Sequence, residues 1–152
     1  MKQAELDRQF MEQALEQAGL AAIAGEVPVG AVIVRNGEVI SKAFNQPITN
    51  HDPSAHAEML ALRQAALSAE NYRLPGTTLY VTLEPCIMCA GAMLHARVDR
   101  IVYGAADPKT GAAGSVLDVF SSKQINHQTV VEGGMMAEEC GQLLRDFFKE
   151  RR

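Results

Sequence analysis

Apolar residues recur along the chain in two different periods, and each period indicates a type of secondary structure. Spacings of three and four residues, as between Leu6, Phe10 and Ala14, are typical of an amphipathic helix. Short continuous apolar runs, such as the one from Val29 to Val34, are typical of buried strands. The predicted helices lie at about 4–24, 52–67, 85–96 and 136–148, and the predicted strands at about 29–34, 39–44, 77–82, 100–103 and 129–131.

Turn and cap residues separate these elements. The Asn36-Gly37 pair tolerates positive φ at both positions and predicts a two-residue hairpin turn. Residues 45–51 are predicted to form a loop, and the Asp52-Pro53 pair predicts a helix start, because Asp can cap a helix and Pro suits its first position. Residues 105–114 are rich in Gly and Ala and predict a functional or mobile loop.

The order of these elements predicts the fold class. Helices separate later strands, and such crossovers favour parallel pairing, whereas the early hairpin is antiparallel. We therefore expect an α/β fold, a three-layer α/β/α sandwich with a central mixed sheet of about five strands. No repeat, linker or low-complexity segment divides the sequence, so residues 1–152 are expected to form a single domain.

Composition limits the classes of protein that remain. Of the 152 residues, 47% are hydrophobic and 21% are charged, which is a globular mixture rather than a disordered one. The sequence has no apolar run of about 18 residues and no signal-peptide pattern, so a cytoplasmic protein without a membrane span is expected. The net charge of −4 excludes a uniformly basic surface, although four basic residues lie in the last eight positions.

Three residues have the chemistry and spacing of metal ligands. Cys86 and Cys89 are three positions apart in the first turn of a predicted helix, where the helix dipole favours thiolates. His56, near another helix start, can supply a third ligand. Two Cys and one His with an open fourth position are typical of catalytic zinc, whereas structural zinc has four protein ligands. The cysteines alone are also compatible with a thioredoxin-like redox pair, but that motif follows an early strand and has different residues between its cysteines.

Glu58 lies two positions beyond His56 and is the candidate proton carrier. In a regular helix two such side chains point about 200° apart, so they share a site only if it lies off the end of the helix. Zinc lowers the pKa of a water molecule to about 7, and Glu58 can move the proton of that water to a ring nitrogen of a base. Glu58 is therefore predicted to be catalytic rather than a ligand.

Two longer segments, one carrying the His and Glu and one the two Cys, resemble the cytidine and deoxycytidylate deaminase superfamily. They are the segments from His51 to Glu58 and from Leu79 to Met93. The resemblance extends from about Phe10 to the end of the chain. Four further segments are similar to the tRNA-specific adenosine deaminases of bacteria, namely Glu26–Val32, Asn45–Ile48, Asp107–Ser115 and Asp146–Lys149.

This resemblance implies a cytidine-deaminase-like fold, one Zn²⁺ per subunit and a homodimer. It implies hydrolytic conversion of adenosine to inosine at the wobble position of a tRNA anticodon, with the anticodon stem-loop as the partner. It assigns His56, Cys86 and Cys89 to zinc, and proton transfer to Glu58. Residues that it implies near the flipped base or its neighbours, some of them through backbone groups, are Asn45, Ala57, Glu84, Asp107 and Lys109.

The last predicted helix offers further candidates for RNA contact. Arg145, Lys149 and Arg152 fall on one stripe and can contact phosphates, with a solvated helix face as the alternative. Phe147 and Phe148 can stack on an unpaired base, with core packing as the alternative. Phe148 aligns with the apolar positions of the helix, so at least one of these rings is expected to be buried.

Two other functions remain open. A zinc deaminase of a free nucleobase or nucleotide, such as guanine or cytosine, would share the whole zinc site. A zinc-stabilised RNA-binding module without activity would keep the ligands but would have no need of Glu58.

Overall fold

The computed structural model describes residues 2–151, and within them no helix is long and apolar enough to cross a membrane. The helices are α1 (Gln3–Ile23), α2 (Pro47–Asn50), α3 (Ala57–Ala69), α4 (Ile87–His95) and α5 (Ala137–Glu150). The strands are β1 (Gly30–Arg35), β2 (Glu38–Phe44), β3 (Thr77–Leu83), β4 (Arg100–Ala105) and β5 (Val130–Glu132). A short 3-10 helix covers Val119–Ser121.

The strands form one mixed sheet in the order β2-β1-β3-β4-β5. β1 pairs antiparallel with β2 across the Asn36-Gly37 turn, where φ is +53° and +77°, and antiparallel with β3 on its other side. β3, β4 and β5 are parallel, because the connections between them cross over one face of the sheet. The predicted α/β fold with a mixed five-stranded sheet and helices around it is therefore confirmed.

Alternate strand residues point to opposite faces, so the sheet has a core on each side. Ile33, Leu79 and Ile101 are fully buried on the face covered by α3 and α4. Val32 and Tyr80, at intervening positions, pack on the other face with α1 and α5. Packing on the first face holds the starts of α3 and α4 beside the sheet, and the functional site lies at these two starts.

The start of α3 differs from the predicted start at Asp52-Pro53. Asp52 Oδ1 accepts hydrogen bonds from the backbone N–H and the hydroxyl of Ser54, at 2.9 and 2.7 Å, so it stabilises a local turn instead of capping a helix. The helix begins at Ala57, and His56 precedes it in an extended conformation with φ −71° and ψ 154°. The predicted start was therefore wrong, and the difference changes the directions of the first side chains of α3.

The segment predicted as a loop at 45–51 contains the short helix α2. Pro47 occupies its first position, which suits a residue without an N–H group. The buried Glu26 carboxylate accepts hydrogen bonds from the backbone N–H groups of Ile48 and Thr49, at 3.2 and 2.7 Å. Glu26 thus satisfies donors that a helix start leaves free, and its distance along the chain hid this cap from the sequence pattern.

Candidate active site

The structure brings the three predicted metal ligands together at two helix starts. His56 lies immediately before α3, Cys86 immediately before α4, and Cys89 in the first turn of α4. The Nδ1 atom of His56 is 3.5 Å from the Sγ atom of each cysteine, and all three donor atoms lie within 4.8 Å of one another. Tetrahedral zinc with bonds of about 2.3 Å to sulfur and about 2.0 Å to nitrogen separates such atoms by about 3.5 Å. The three residues therefore fit a zinc ion and leave its fourth position open.

The two thiols differ in acidity because they share a hydrogen bond. The bond from Cys89 lowers the pKa of Cys86 to about 4, and the same bond raises the pKa of Cys89 above its usual range. A hydrogen bond with Cys86 also raises the pKa of His56. Since a thiolate is the form that binds metal, Cys86 would bind a metal ion in the form that it already has, and Cys89 would lose its proton on binding one.

Glu58 is the second residue of α3 and is only 4% exposed. Because His56 precedes the helix, the separation of about 200° between two helical side chains does not apply to this pair. Both residues line the same cavity, so the late start of α3 removes the angular conflict that the sequence suggested. Burial raises the pKa of the Glu58 carboxyl to about 7, which suits a group that both accepts and donates a proton near neutral pH.

A cavity of about 290 Å³ is lined by two of the three ligands, His56 and Cys86, and by Glu58. Asn45 lies on its wall, and the Oδ1 atom of Asn45 accepts a hydrogen bond from the backbone N–H of Ala57 at 3.2 Å. Within residues 2–151 the Nδ2 group of Asn45 donates no hydrogen bond, so this NH₂ group is free to donate one to a molecule in the cavity. The rest of the wall is formed by Val27, Val29, Pro47, Leu83, Glu84, Asp107 and Thr110. A small cavity whose wall combines apolar side chains with polar groups suits one flat heterocyclic ring.

Known proteins are similar to this chain over most of its length. The family model of the cytidine and deoxycytidylate deaminase zinc-binding region matches residues 4–105. The chain is 51% identical to the tRNA-specific adenosine deaminase of Haemophilus influenzae over 149 residues, which are 97% of this chain and 86% of that protein. It is 47% identical to the enzyme of the same name from Bacillus subtilis over 146 residues, 96% of this chain and 91% of that protein. The chain belongs to the family of tRNA-specific adenosine deaminases.

A solved structure from a study of A-to-I editing by tRNA A34 deaminases at the wobble position has the same fold. Its TM-score with this chain is 0.87 at 44% identity, over 90% of this chain and 99% of the other. The resemblance predicted from the sequence is thus confirmed. Membership of a zinc-binding deaminase family and the His/Cys/Cys group agree on one Zn²⁺ in each subunit.

The pocket loop, residues 106–115, carries two of the residues that the family resemblance implies near the substrate. Asp107 lines the cavity, and its Oδ1 atom accepts hydrogen bonds from the N–H groups of Lys109 and Thr110, at 3.0 and 3.2 Å. Its Oδ2 atom accepts a hydrogen bond from the hydroxyl of Thr110 at 2.7 Å, so the carboxylate stabilises the turn at the start of the loop. Lys109 lines a second cavity of about 370 Å³, and the two cavities meet at Asp107 and Thr110.

Ala57 and Glu84, which the resemblance implies face the base through backbone groups, already use their N–H groups within the chain. Ala57 donates to the Asn45 side chain, as described above, and Glu84 donates to the carbonyl of Ala105 at 2.8 Å. A contact between either residue and a base therefore uses another group, and it stays a prediction.

The structure distinguishes the two phenylalanines of α5, and the expectation that at least one ring is buried is confirmed. Phe147 is 7% exposed, and the guanidinium of Arg151 lies 3.5 Å from the centre of its ring. Phe148 is 45% exposed and lines the second cavity together with Lys109. The reason is helical geometry, because Phe147 follows the buried Cys140 by two turns and so lies on the same face. Phe148, and not Phe147, is available to stack on a base.

The predicted basic stripe is only partly described. Arg152 lies outside the described residues. Arg145 forms an ion pair with Glu138 at 2.9 Å on the exposed face of α5, as expected for a solvated helix face. Lys149 is exposed, so RNA contact by Lys149 and Arg152 stays a prediction.

Sequence reasoning missed residues that shape the site without carrying its chemistry. Apolar wall residues such as Val27 and Leu83 cannot be told from core residues by pattern alone. The Glu84 side chain was also missed, since only backbone groups near it were expected to matter. A carboxylate directly after a buried strand was a usable signal, because charged residues are rarely buried without a specific set of partners.

Proposed function

We propose that this protein catalyses the hydrolytic deamination of adenosine to inosine at the wobble position of a tRNA anticodon. The observation that carries the proposal is the similarity to tRNA-specific adenosine deaminases along nearly the whole chain, including the pocket loop. The proposal is also supported by the cavity, which has the size of a base and lies beside metal ligands and a buried carboxyl group. We further propose that residues 1–152 form one deaminase domain and act in the cytoplasm, where bacterial tRNA is found.

In the proposed reaction the chain supplies metal ligands and a proton carrier. His56, Cys86 and Cys89 hold one Zn²⁺, which when bound makes hydroxide available from water at neutral pH. Glu58 accepts the proton that the water loses and delivers it to the ring nitrogen beside the amino-bearing carbon, which makes that carbon more electrophilic. As the oxygen of that water bonds to this carbon, Glu58 transfers the remaining proton of the water to the amino group, and the carbon–nitrogen bond breaks to release ammonia.

Asn45 is placed to orient the base. Its hydrogen bond with the Ala57 N–H fixes the amide so that the NH₂ group faces the cavity. Purine rings carry unprotonated nitrogens, which accept hydrogen bonds from such a donor. We therefore assign to Asn45 a hydrogen bond to a ring nitrogen of adenine.

The two adjoining cavities suit a short stretch of unpaired RNA. A base enters a cavity beside buried ligands only after leaving its stack, and an unpaired anticodon loop lowers the cost of that step. Lys109 and Phe148 both line the second cavity. A cation and an aromatic face are the groups that bind a phosphate and stack on a base, so we assign this cavity to a neighbouring nucleotide.

Incubation of the zinc-loaded protein with a transcribed anticodon stem-loop, followed by nucleoside analysis, tests this function. We expect inosine at the wobble position, and no turnover of free adenosine, guanine or cytosine. A stem-loop with its adenosine moved into the paired stem is the matched control and should not react. Turnover of a free base without any inosine in RNA would show a free-base deaminase instead.

We also propose that the protein is a homodimer, as the family resemblance implies. Ile87, Val116 and Leu117 are apolar and exposed near the start of α4. The two segments that carry them are tied together by the N–H of Ala112, which donates to the carbonyl of Pro85 at 2.8 Å. Light scattering should give twice the chain mass of 16.4 kDa, and a monomer throughout the micromolar range would contradict the proposal.

A further inference from the structure

The carboxylate of Glu84 lies under the pocket loop and has no part in the chemistry described so far. Glu84 directly follows β3 and is 2% exposed. Its Oε1 atom accepts hydrogen bonds from the N–H of Asp107, at 3.0 Å, and from the hydroxyl of Ser115. Its Oε2 atom accepts hydrogen bonds from the N–H groups of Ala113 and Ser115, at 2.9 and 3.1 Å. All four donors belong to the pocket loop, and one buried carboxylate therefore binds both ends of that loop.

The same turn of chain also carries a metal ligand. Cys86 is two residues beyond Glu84, and the carbonyl of Pro85 between them accepts the N–H of Ala112. The loop approaches this turn so closely that a methyl group added to Gly111 would overlap the Glu84 carboxylate. The loop that bears Asp107 is thus fastened to the segment that bears the zinc site.

We propose that Glu84 is a positioning residue, whose carboxylate holds the pocket loop in the conformation that binds the RNA substrate. The proposal rests on the proposed function, since it assigns the pocket loop to substrate binding. It predicts that Glu84 controls the affinity for the anticodon loop and leaves zinc binding to His56, Cys86 and Cys89.

A Glu84→Gln substitution tests this role because an amide cannot satisfy the four donors. If the NH₂ group replaces Oε2, it faces the two N–H groups of Ala113 and Ser115 and repels both. If it replaces Oε1, it faces the N–H of Asp107, while the Ser115 hydroxyl can rotate and accept. At least one loop attachment is lost in either orientation, although the Asp107–Thr110 turn within the loop remains.

In the Glu84→Gln variant we expect the pocket loop to occupy its binding conformation in only a fraction of the molecules. Apparent affinity falls in proportion to the fraction of molecules in the binding conformation, and the loss of a hydrogen bond to a charged group predicts a rise in KM of about tenfold or more. The value of kcat should change less than KM, and zinc content should stay at one per chain. Hydrogen exchange should accelerate at the amides of Asp107, Ala113 and Ser115 but not in the sheet.

Asp7→Asn is the matched control. Asp7 is another buried carboxylate with several donors, on the opposite face of the sheet. This variant should lower the melting temperature without changing KM or exchange in the pocket loop. If Glu84→Gln only destabilised the fold, it too would lower the melting temperature and leave KM and exchange in the pocket loop unchanged.

Gly111→Ala provides a second, independent perturbation if Glu84→Gln folds poorly. The added methyl group overlaps both the Glu84 carboxylate and the backbone carbonyl of Asp107 within the loop, whereas the same change at Gly19, in open space on α1, meets nothing. Gly111→Ala should therefore raise KM and loop exchange, and Gly19→Ala should not.

Unchanged loop exchange in Glu84→Gln would overturn the proposal, and so would faster loop exchange with an unchanged KM. Loss of zinc from the variant would also overturn it, because Glu84 would then act through the metal site. Failure of the parent protein to form inosine would refute the proposed function instead. In that case a zinc-retaining variant with faster loop exchange would still establish that Glu84 holds the loop.

Discussion

Glu58→Gln separates proton transfer from the other properties of the site. Gln has nearly the same size and fills the same buried position at the start of α3. It can neither accept the proton of water nor deliver one to a base. We therefore expect a folded protein that binds zinc and RNA but does not form inosine.

The structure decides how large the loss should be. General acid–base catalysis contributes about 10²- to 10⁴-fold, and the lower values apply where another group can take over. Glu84 and Asp107 are the other carboxylates on the cavity wall, and the loop donors occupy both of them. Since neither is free to replace Glu58, we expect a loss of about 10⁴-fold in rate, or about 5.4 kcal/mol in the activation barrier.

Single-turnover inosine formation with enzyme in excess over the stem-loop measures this loss without a contribution from product release. Zinc content and a melting curve, measured on the same sample, show whether the metal and the fold are retained. A variant with full zinc and a rate within tenfold of the parent would refute the role of Glu58. A variant that loses its zinc would show instead that Glu58 is a ligand.

Three further predictions concern stability and the RNA surface. Asp7→Ala should lower the free energy of unfolding by about 3–5 kcal/mol in urea titrations, because the Arg100 guanidinium 2.6 Å away loses its buried partner. Burial raises the pKa of Asp7, but its hydrogen bonds lower the pKa by more, so the net pKa lies below its usual value. The stabilisation by Asp7 is therefore present at neutral pH, and the stability difference between the parent and Asp7→Ala should shrink as the pH falls below about 4. Gly30→Ala should cost about 1–3 kcal/mol, since the added methyl overlaps the backbone of α1, and a result within error of the parent would contradict this packing. Phe147→Ala should cost about 3–5 kcal/mol of stability. Phe148→Ala should instead weaken stem-loop binding by about tenfold at nearly parental stability, and the opposite pattern would reverse the assignment of the two rings.

The metal ligands could be predicted because their chemistry is rare and local. Two cysteines at a helix start and one upstream His leave few other interpretations, and the structure brings these side chains together. The strands and most helices were also predictable, since alternate burial on the two faces of a sheet imposes a period that the sequence shows directly.

Features that depend on distant partners could not be predicted in the same way. Asp52 has the properties of a helix cap, yet it bonds to Ser54, and nothing local distinguishes the two outcomes. Which of two adjacent phenylalanines is buried depends on how α5 is rotated against the sheet. The four donors that meet Glu84 lie more than twenty positions away, so their convergence exists only in the folded chain.

The sheet topology explains why such distant segments meet at one site. β1 runs antiparallel to both β2 and β3, while β4 runs parallel to β3. The end of β2, the start of β1 and the ends of β3 and β4 therefore lie together at one end of the strands. Asn45, Val29, Glu84 and Asp107 occupy these four positions at or just beyond the strand ends. The carboxyl ends of the parallel strands β3 and β4 lie here, and ligands in open α/β sheets bind beyond the carboxyl ends of the strands. The helix starts beside these strand ends carry the zinc ligands, and the loops carry other residues of the cavity wall. If the proposed function holds, these loops are the part of the site that distinguishes an RNA base from a free base, and the hydrogen bonds from the pocket loop to Glu84 connect that part to the segment that carries Cys86.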